Sequence, residues 1–175
     1  MDMVFRLEIV TKQVYREIFD FETRNKAFFE RVLPKRPNGY QQYDTFIVIM
    51  NTLMAEQHDG DYYMYLIRDS QGALAGRINL QITDGLSRKT GEIGYRVDEA
   101  HQGCGCASQG VKLILEEAYE RYGLKKITAG AAKSNLASRR VLEKNGFIQI
   151  GVQERVMCIR QNWVDGILYQ HQRRQ

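Results

Sequence analysis

The chain is poor in the residues that staple or interrupt structure. It holds three cysteines, Cys104, Cys106 and Cys158, and two prolines, Pro34 and Pro37. An odd thiol count without a spaced framework argues against a disulfide scaffold and for a reducing compartment. One C-x-C pair and a distant cysteine fall short of the four N or S ligands that structural zinc takes, so no metal is expected. Redox pairs usually use C-x-x-C, which these cysteines do not form. No apolar run approaches a membrane span, and no membrane partner is expected. The opening MDMVFRLEIV is too short and too charged for a signal peptide, which makes a cytoplasmic protein the default. Internal repeats and low-complexity segments are missing too. The net charge of +4 is spread along the chain, apart from a short basic run, His171-Gln172-Arg173-Arg174-Gln175, expected to be a frayed end. Without an aromatic–basic motif, nucleic acid is not an expected partner.

What is present fits one domain over residues 1–175. A first strand is expected over 3–10, a helix over 12–30, and a second helix over 40–57 after the Pro34, Pro37 and Asn38-Gly39 break. Strands follow at 62–68 and 73–83, joined by the turn Asp69-Ser70-Gln71-Gly72, and at 91–97, where Ile93, Tyr95 and Val97 alternate with Glu92, Gly94 and Arg96. The clearest helix carries Ala107, Val111, Ile114, Leu115, Ala118, Tyr119 and Tyr122 on one stripe and stops at Gly123. A strand at 126–131, a helix from Ser134 or Asn135 to Asn145-Gly146, and strands near 147–160 and 164–171 complete the order. The last two meet at Gln161-Asn162-Trp163. This is an α+β or mixed α/β domain built on one sheet.

The segment His101-Gln102-Gly103-Cys104-Gly105-Cys106-Ala107-Ser108-Gln109-Gly110 sits between a strand and that clearest helix. A dinucleotide fingerprint wants an acid at the end of the next strand, but 125–133 carries none. A plain turn explains one glycine well, and three glycines flanked by small residues less well. The remaining reading is a phosphate cradle. A helix N-terminus has unpaired N–H groups and partial positive charge, and small residues let a diphosphate approach them.

At these residues the chain resembles a family. Gln102-Gly103-Cys104-Gly105-Cys106-Ala107 is similar to the Q/R-x-x-G-x-G/A motif of the GCN5-related N-acetyltransferases, the GNAT superfamily. Gly91-Glu92-Ile93-Gly94-Tyr95 looks like the fourth strand of its RimJ/RimL-like ribosomal-protein branch. The run from Asn135 to Phe147 resembles that branch's N-x-x-S-x-R-V-L-E-K-x-G-F helix, and Trp163 to Tyr169 its last hairpin. Together these motifs cover roughly residues 60–170.

The resemblance implies a twisted, mostly antiparallel sheet of about seven strands with one splayed pair, flanked by about four helices. It implies acetyl-CoA as cosubstrate and direct acetyl transfer to a primary amine. Backbone around Val97 would hold the pantetheine arm. N–H groups from Gln102, Gly103, Cys104, Gly105, Cys106 and Ala107 would take the pyrophosphate, and Asn135 would bond the pantetheine. Arg140 and Lys144 are placed to reach a CoA phosphate or to form a solvated helix face. Glu92 matches the glutamate that serves as base in some members; the alternative is pairing with Arg96 or solvent exposure. Where many members have a tyrosine, this chain has Leu142. Ser138 matches a serine implicated in the ribosomal branch and is the candidate thiolate donor; the alternative is helix packing. Some members of that branch also have an acid on the strand after Gly-Phe, a role not assigned to Glu154 here. The two loop cysteines fill small-residue positions.

The acceptor is expected between residues 20–45 and the last hairpin, with Glu22, Asn25, Phe28, Phe29, Tyr40, Tyr43 and Trp163, where acidic groups would attract an amine. A protein N-terminus, amino acid, polyamine and antibiotic all remain open as acceptors, and a homodimer is compatible with the chain. The competing reading is a non-enzymatic CoA-binding module on the same fold.

Overall fold

The structure, a computed structural model, describes residues 4–173. Strand β2 (Tyr62–Arg68) is largely buried on both faces. Successive side chains of a strand point to opposite faces. Met64 and Leu66 therefore enter one core, and Tyr65 and Ile67 the other. A strand buried on both faces reads as an unbroken apolar run.

Seven strands form one sheet in the order β1-β2-β3-β4-β5-β7-β6. The others are β1 (Arg6–Ile9), β3 (Leu74–Ile82), β4 (Thr90–Val97), β5 (Lys126–Ala132), β6 (Ile148–Ile159) and β7 (Asn162–Gln172). All neighbours run antiparallel except β4 and β5. One face is covered by α1 (Tyr15–Arg24), α2 (Lys26–Phe29) and α3 (Tyr43–Asp59), through Ile18, Phe21, Phe29, Phe46 and Met50. The other is covered by α4 (Cys106–Glu116) and α5 (Leu136–Lys144), through Val111, Ile114, Leu115 and Leu142.

The expected helix over 12–30 is interrupted at Asn25. Its Nδ2 donates to Phe21 O at 3.0 Å, and its Oδ1 accepts from Glu99 N at 3.0 Å. A buried amide that bonds nearby backbone competes with the helix ladder. The next helix is displaced to Tyr43–Asp59 and ends where Gly60 turns left-handed at φ 79°. The helix after the glycine segment is α-helical only to Glu116 and widens into a π-turn over Glu117–Arg121 before Gly123. The last hairpin turns on Arg160-Gln161, at φ 50° and 64°, so Ile159 pairs with Asn162. That is a two-residue turn of the primed kind, normally marked by Asn-Gly, and neither residue signals it here. Residues 171–173 are not frayed. His171 and Gln172 belong to β7, the Tyr119 hydroxyl bonds His171 Nδ1 at 2.6 Å, and Arg173 pairs with Glu120 at 2.6 Å. Met3, at the expected start of the first strand, and Arg174 and Gln175 lie outside the described residues.

Gly76 of β3 lies opposite Val97, and a Cβ there would stand 2.8 Å from the Arg96 carbonyl oxygen. Backbone of a paired strand cannot retreat cheaply. Gly76→Ala is expected to destabilise by about 1–3 kcal/mol, the range of an overpacked core. A urea titration checks this through a lower midpoint at unchanged slope.

Candidate active site

β4 and β5 share hydrogen-bonded pairing only from Thr90 to Ile93 against Lys126 to Ala129. Beyond that point β4 continues to Val97 against β3, and β5 to Ala132 against β7. The two strands part, and their facing edges lose each other. Asp98 N–H donates to Ala75 O on the β3 side. Backbone groups alternate in direction along a strand, so Tyr95 and Val97 turn theirs into the gap. The Val97 carbonyl already accepts one bond there, from Gln102 Nε2 at 2.9 Å. A Cβ on Gly94 would meet nothing within 4 Å, so the gap is open at its narrow end.

The gap has two lobes. One is walled by Asn79, Gly94, Arg77, Gly130 and Met157, and the other by Phe28, Val97, Gln102, Ala107 and Val141. Tyr95, Arg96, Asn135 and Ser138 line both.

The second lobe reaches the start of α4. Gly103 and Gly105 adopt left-handed φ values of 74° and 86°, which favour glycine. Gly105 is the N-cap of α4 and no side chain caps this end. The first bond into the helix is Gln109 N to Gly105 O, at 2.9 Å. The N–H groups ahead of it are the orphan donors of a helix start, and small residues keep them accessible. Gln102 acts differently from its neighbours. Its side-chain amide holds the Val97 and Asp98 carbonyls, at 2.9 and 3.3 Å, and its own N–H reaches Glu99 O at 3.3 Å. It braces the loop.

The thiols are accounted for by packing. Cys106 is buried, and that burial pushes its thiol up to about 12, far from a thiolate at neutral pH. Cys104 Sγ donates to His101 O at 2.9 Å. Asn145 Nδ2 donates to Ser108 Oγ at 3.2 Å and so ties the end of α5 to the first turn of α4. Arg140 and Lys144 on α5 are exposed.

Asn135 caps α5: its Oδ1 accepts from Ser138 N at 3.1 Å, which leaves Nδ2 for a ligand in the gap. The Ser138 hydroxyl lies 2.9 Å from the Tyr95 hydroxyl, and Tyr95 OH also reaches Ser138 O at 3.2 Å. Burial raises the Tyr95 hydroxyl to about 12, against the opposing effect of the Ser138 bond, so it stays protonated. Tyr95 was not a candidate from sequence, where its alternation with Gly94 and Arg96 marks it only as core-facing. Leu142 is fully buried and serves packing alone. Glu92 is exposed, on the opposite sheet face from Ile93 and Tyr95, and pairs in register with Gln81 and Thr128. It lies one residue before the end of the β4–β5 pairing and does not line either lobe.

On the acceptor side the structure reverses one expectation. Glu22 is buried and engaged by arginines, so it cannot draw in an amine. Arg36 Nε and Nη2 bond its two oxygens at 3.1 and 2.6 Å, and Arg77 Nη1 bonds Oε1 at 2.6 Å. Burial alone would raise the Glu22 carboxyl, but Arg77 and Arg36 overcome it and hold it at about 2. Phe28 and Phe29 line the second lobe. Tyr40 is buried beside Arg77, Tyr43 stacks on Phe46, and Trp163 is exposed at the hairpin. Asn25 is fixed by the helix break. Among the described residues no cluster of His, Cys, Asp or Glu could hold a metal ion, and no helix is long and apolar enough to cross a membrane.

A parted parallel pair lies beside an uncapped, glycine-led helix start, and comparison with known proteins shows the family. Residues 7–148 match the family described as Acetyltransferase (GNAT) domain. A probable N-acetyltransferase of Bacillus subtilis, YjcK, is 30% identical over 151 residues, covering 85% of this chain and 83% of its own length. The ribosomal-protein-serine acetyltransferase of Escherichia coli is 26% identical over 163 residues, 93% of this chain and 89% of its own. Among solved structures, spermidine N-acetyltransferase from Vibrio cholerae, in complex with CoA and spermine, superposes with a TM-score of 0.81 at 20% identity, over 96% of this chain and 95% of that one. The chain belongs to the GNAT acetyltransferase family and is an N-acetyltransferase that transfers acetyl groups to amines.

Proposed function

We propose that acetyl-CoA is the donor and that the β4–β5 gap is where it is held, within one catalytic domain. The observation that carries this reading is the loss of pairing after Ile93 and Ala129, next to the uncapped start of α4. The free backbone edge at Tyr95 and Val97 receives the pantetheine amides as a strand would. N–H groups from Gly103 to Ala107 take the pyrophosphate, while Gln102 holds the loop in shape. Asn135 Nδ2 bonds the pantetheine. The donor supplies an activated acetyl thioester, and the chain does the rest.

Glu92 accepts the proton of the attacking amine, directly or through water, since an ammonium has no lone pair to attack with. It shares its sheet face with Gly94, where the gap opens. N–H groups of the parted β4 edge stabilise the oxyanion. Ser138 delivers a proton to the departing thiolate and is resupplied through the Tyr95 hydroxyl, 2.9 Å away. This hydroxyl pair replaces the tyrosine that Leu142 displaces. Three free cysteines without a disulfide suit work in the cytoplasm. A homodimer is supported by Ile148, Ile150 and Val152, which stand 63%, 46% and 50% exposed around the irregularity between Gln149 and Gly151 on the outermost strand, β6.

Three measurements test these assignments. Titration calorimetry with acetyl-CoA is expected to show Gly105→Val without binding, because valine resists the left-handed φ of 86°, and Cys106→Ala with affinity retained. Loss of binding in Cys106→Ala alone would overturn the cradle. Glu92→Gln is expected to lower kcat by about 100-fold with the acetyl-CoA Kd unchanged, the scale of general-base catalysis; normal turnover removes Glu92 as base. Sedimentation equilibrium is expected to give a dimer for the native chain and a monomer for Ile150→Asp, and a monomeric native chain rules the dimer out.

A further inference from the structure

The lobe walled by Asn79, Gly94 and Arg77, on the side read as the acceptor's, contains more positive charge than it neutralises. Arg36, Arg77 and Arg96 surround a single carboxylate, Glu22. Arg36 and Arg77 take the short bonds. Arg96 is left 3.6 Å from Glu22 Oε2, beyond hydrogen-bond reach, and lies over the Phe29 ring with its guanidinium carbon 5.1 Å from the centroid. Its side chain is only 15% exposed. Lys26 and Glu30 flank the cluster on its outer side as one charge of each sign and do not redress the balance. A guanidinium taken out of water without a full partner is unfavourable. The strain registers in its ionisation: burial and then the neighbouring Arg36 pull Arg96 down to about 10, while Arg77, burial notwithstanding, is raised by Glu22.

Two polar atoms at the same place have no hydrogen-bond partner. Arg77 is 4% exposed, and its Nε donates to nothing. Asn79 Oδ1 is buried and accepts from nothing. All three side chains line the lobe that opens at Gly94, and Asn79 is the register partner of Gly94. Buried polar atoms are rarely left unpaired in a native site. Here they want an anion at the arginines and an N–H donor at Asn79. Along β4, Glu92, Gly94 and Arg96 share one face, so the proposed base and this weakly paired cation stand on either side of the opening.

We propose that the acceptor of this enzyme is an acidic amine: a primary amine that carries a carboxylate or phosphate a few bonds away, held by Arg96 and Arg77 while the amine end lies toward Asn79 and Glu92. A polyamine, which is all cation, meets repulsion in this lobe. This inference rests on reading the gap as the transfer site.

The test uses the purified full chain, acetyl-CoA and peptide amides that differ only at the second residue, as aspartate, phosphoserine, asparagine or lysine, with spermidine alongside. The expected order of kcat/KM puts aspartate or phosphoserine about tenfold or more above asparagine, since a desolvated charge left without its partner is costly. Lysine and spermidine are expected at the bottom. The aspartate and phosphoserine arms tell a carboxylate site from a phosphate site. Arg96→Gln is expected to bring the acidic and neutral peptides within about twofold through KM, and Arg96→Lys to restore part of the gap, because a lysine keeps the charge without the fork. A merely structural Arg96 would move the melting temperature and leave the preference intact. Turnover that favours spermidine or the lysine peptide, or is indifferent to charge, overturns the inference while leaving the transferase reading standing. Failure of acetyl-CoA to bind overturns both.

Discussion

The structure depends on one broken interaction, the hydrogen-bonded pairing that β4 and β5 give up after Ile93 and Ala129. Unpaired strand edges inside a sheet are costly unless something else satisfies them. This chain holds each strand firmly from its other side, so that the gap cannot close. β4 is held by β3 to its last residue and then by the Asp98 to Ala75 bond. β5 is held by β7 along its whole length. Gly94 and Gly130 keep side chains out of the space between. In the proposed binding mode a strand-like ligand completes what the sheet lacks.

The same point is braced from both faces. On one side Arg24 Nη2 reaches Asp98 Oδ2 at 3.0 Å and Leu74 O at 3.2 Å, and Asn25 Oδ1 takes Glu99 N at 3.0 Å. The break in the first helix is therefore part of the site's construction: the amide that interrupts the helix also anchors the end of β4. On the other side Gln102 folds back onto Val97 and Asp98 and sets where α4 begins. Residues far apart in sequence converge here because β4 ends where both helical layers begin.

These two kinds of contact explain what could be read from the sequence. Local constraints were legible. Two glycines needing left-handed backbone, an amphipathic stripe and an Asn capping a helix announce themselves through spacing, and the motif run from Gly91 to Phe147 placed the glycine loop and α5 correctly. Tertiary constraints were not. Nothing around Asn25 says that its amide will bond Glu99, seventy-odd residues away. The Arg160-Gln161 turn uses side chains that give no turn signal, and Leu142 shows only that a tyrosine is missing, not that Tyr95 lies against Ser138. Glu22 is the sharpest case. Read alone it is an acid near an amine site, and only the fold surrounds it with three guanidinium groups.

That reversal connects stability to specificity. A lone buried carboxylate needs one cation, and Arg36, bonded through two nitrogens, meets that need. Arg77 adds a third hydrogen bond from within the core. With Glu22 satisfied by these two, Arg96 is disfavoured first by its burial and then by the neighbouring Arg36. The proposed acidic acceptor would give Arg96, on the strand that opens the gap, the full hydrogen-bonded partner that Glu22 does not supply. The catalytic apparatus of the fold is generic, a parted strand and a helix start. On the same strand β4 turns Arg96 into the lobe beside Asn79 and Gly94, where the proposed acceptor would meet it.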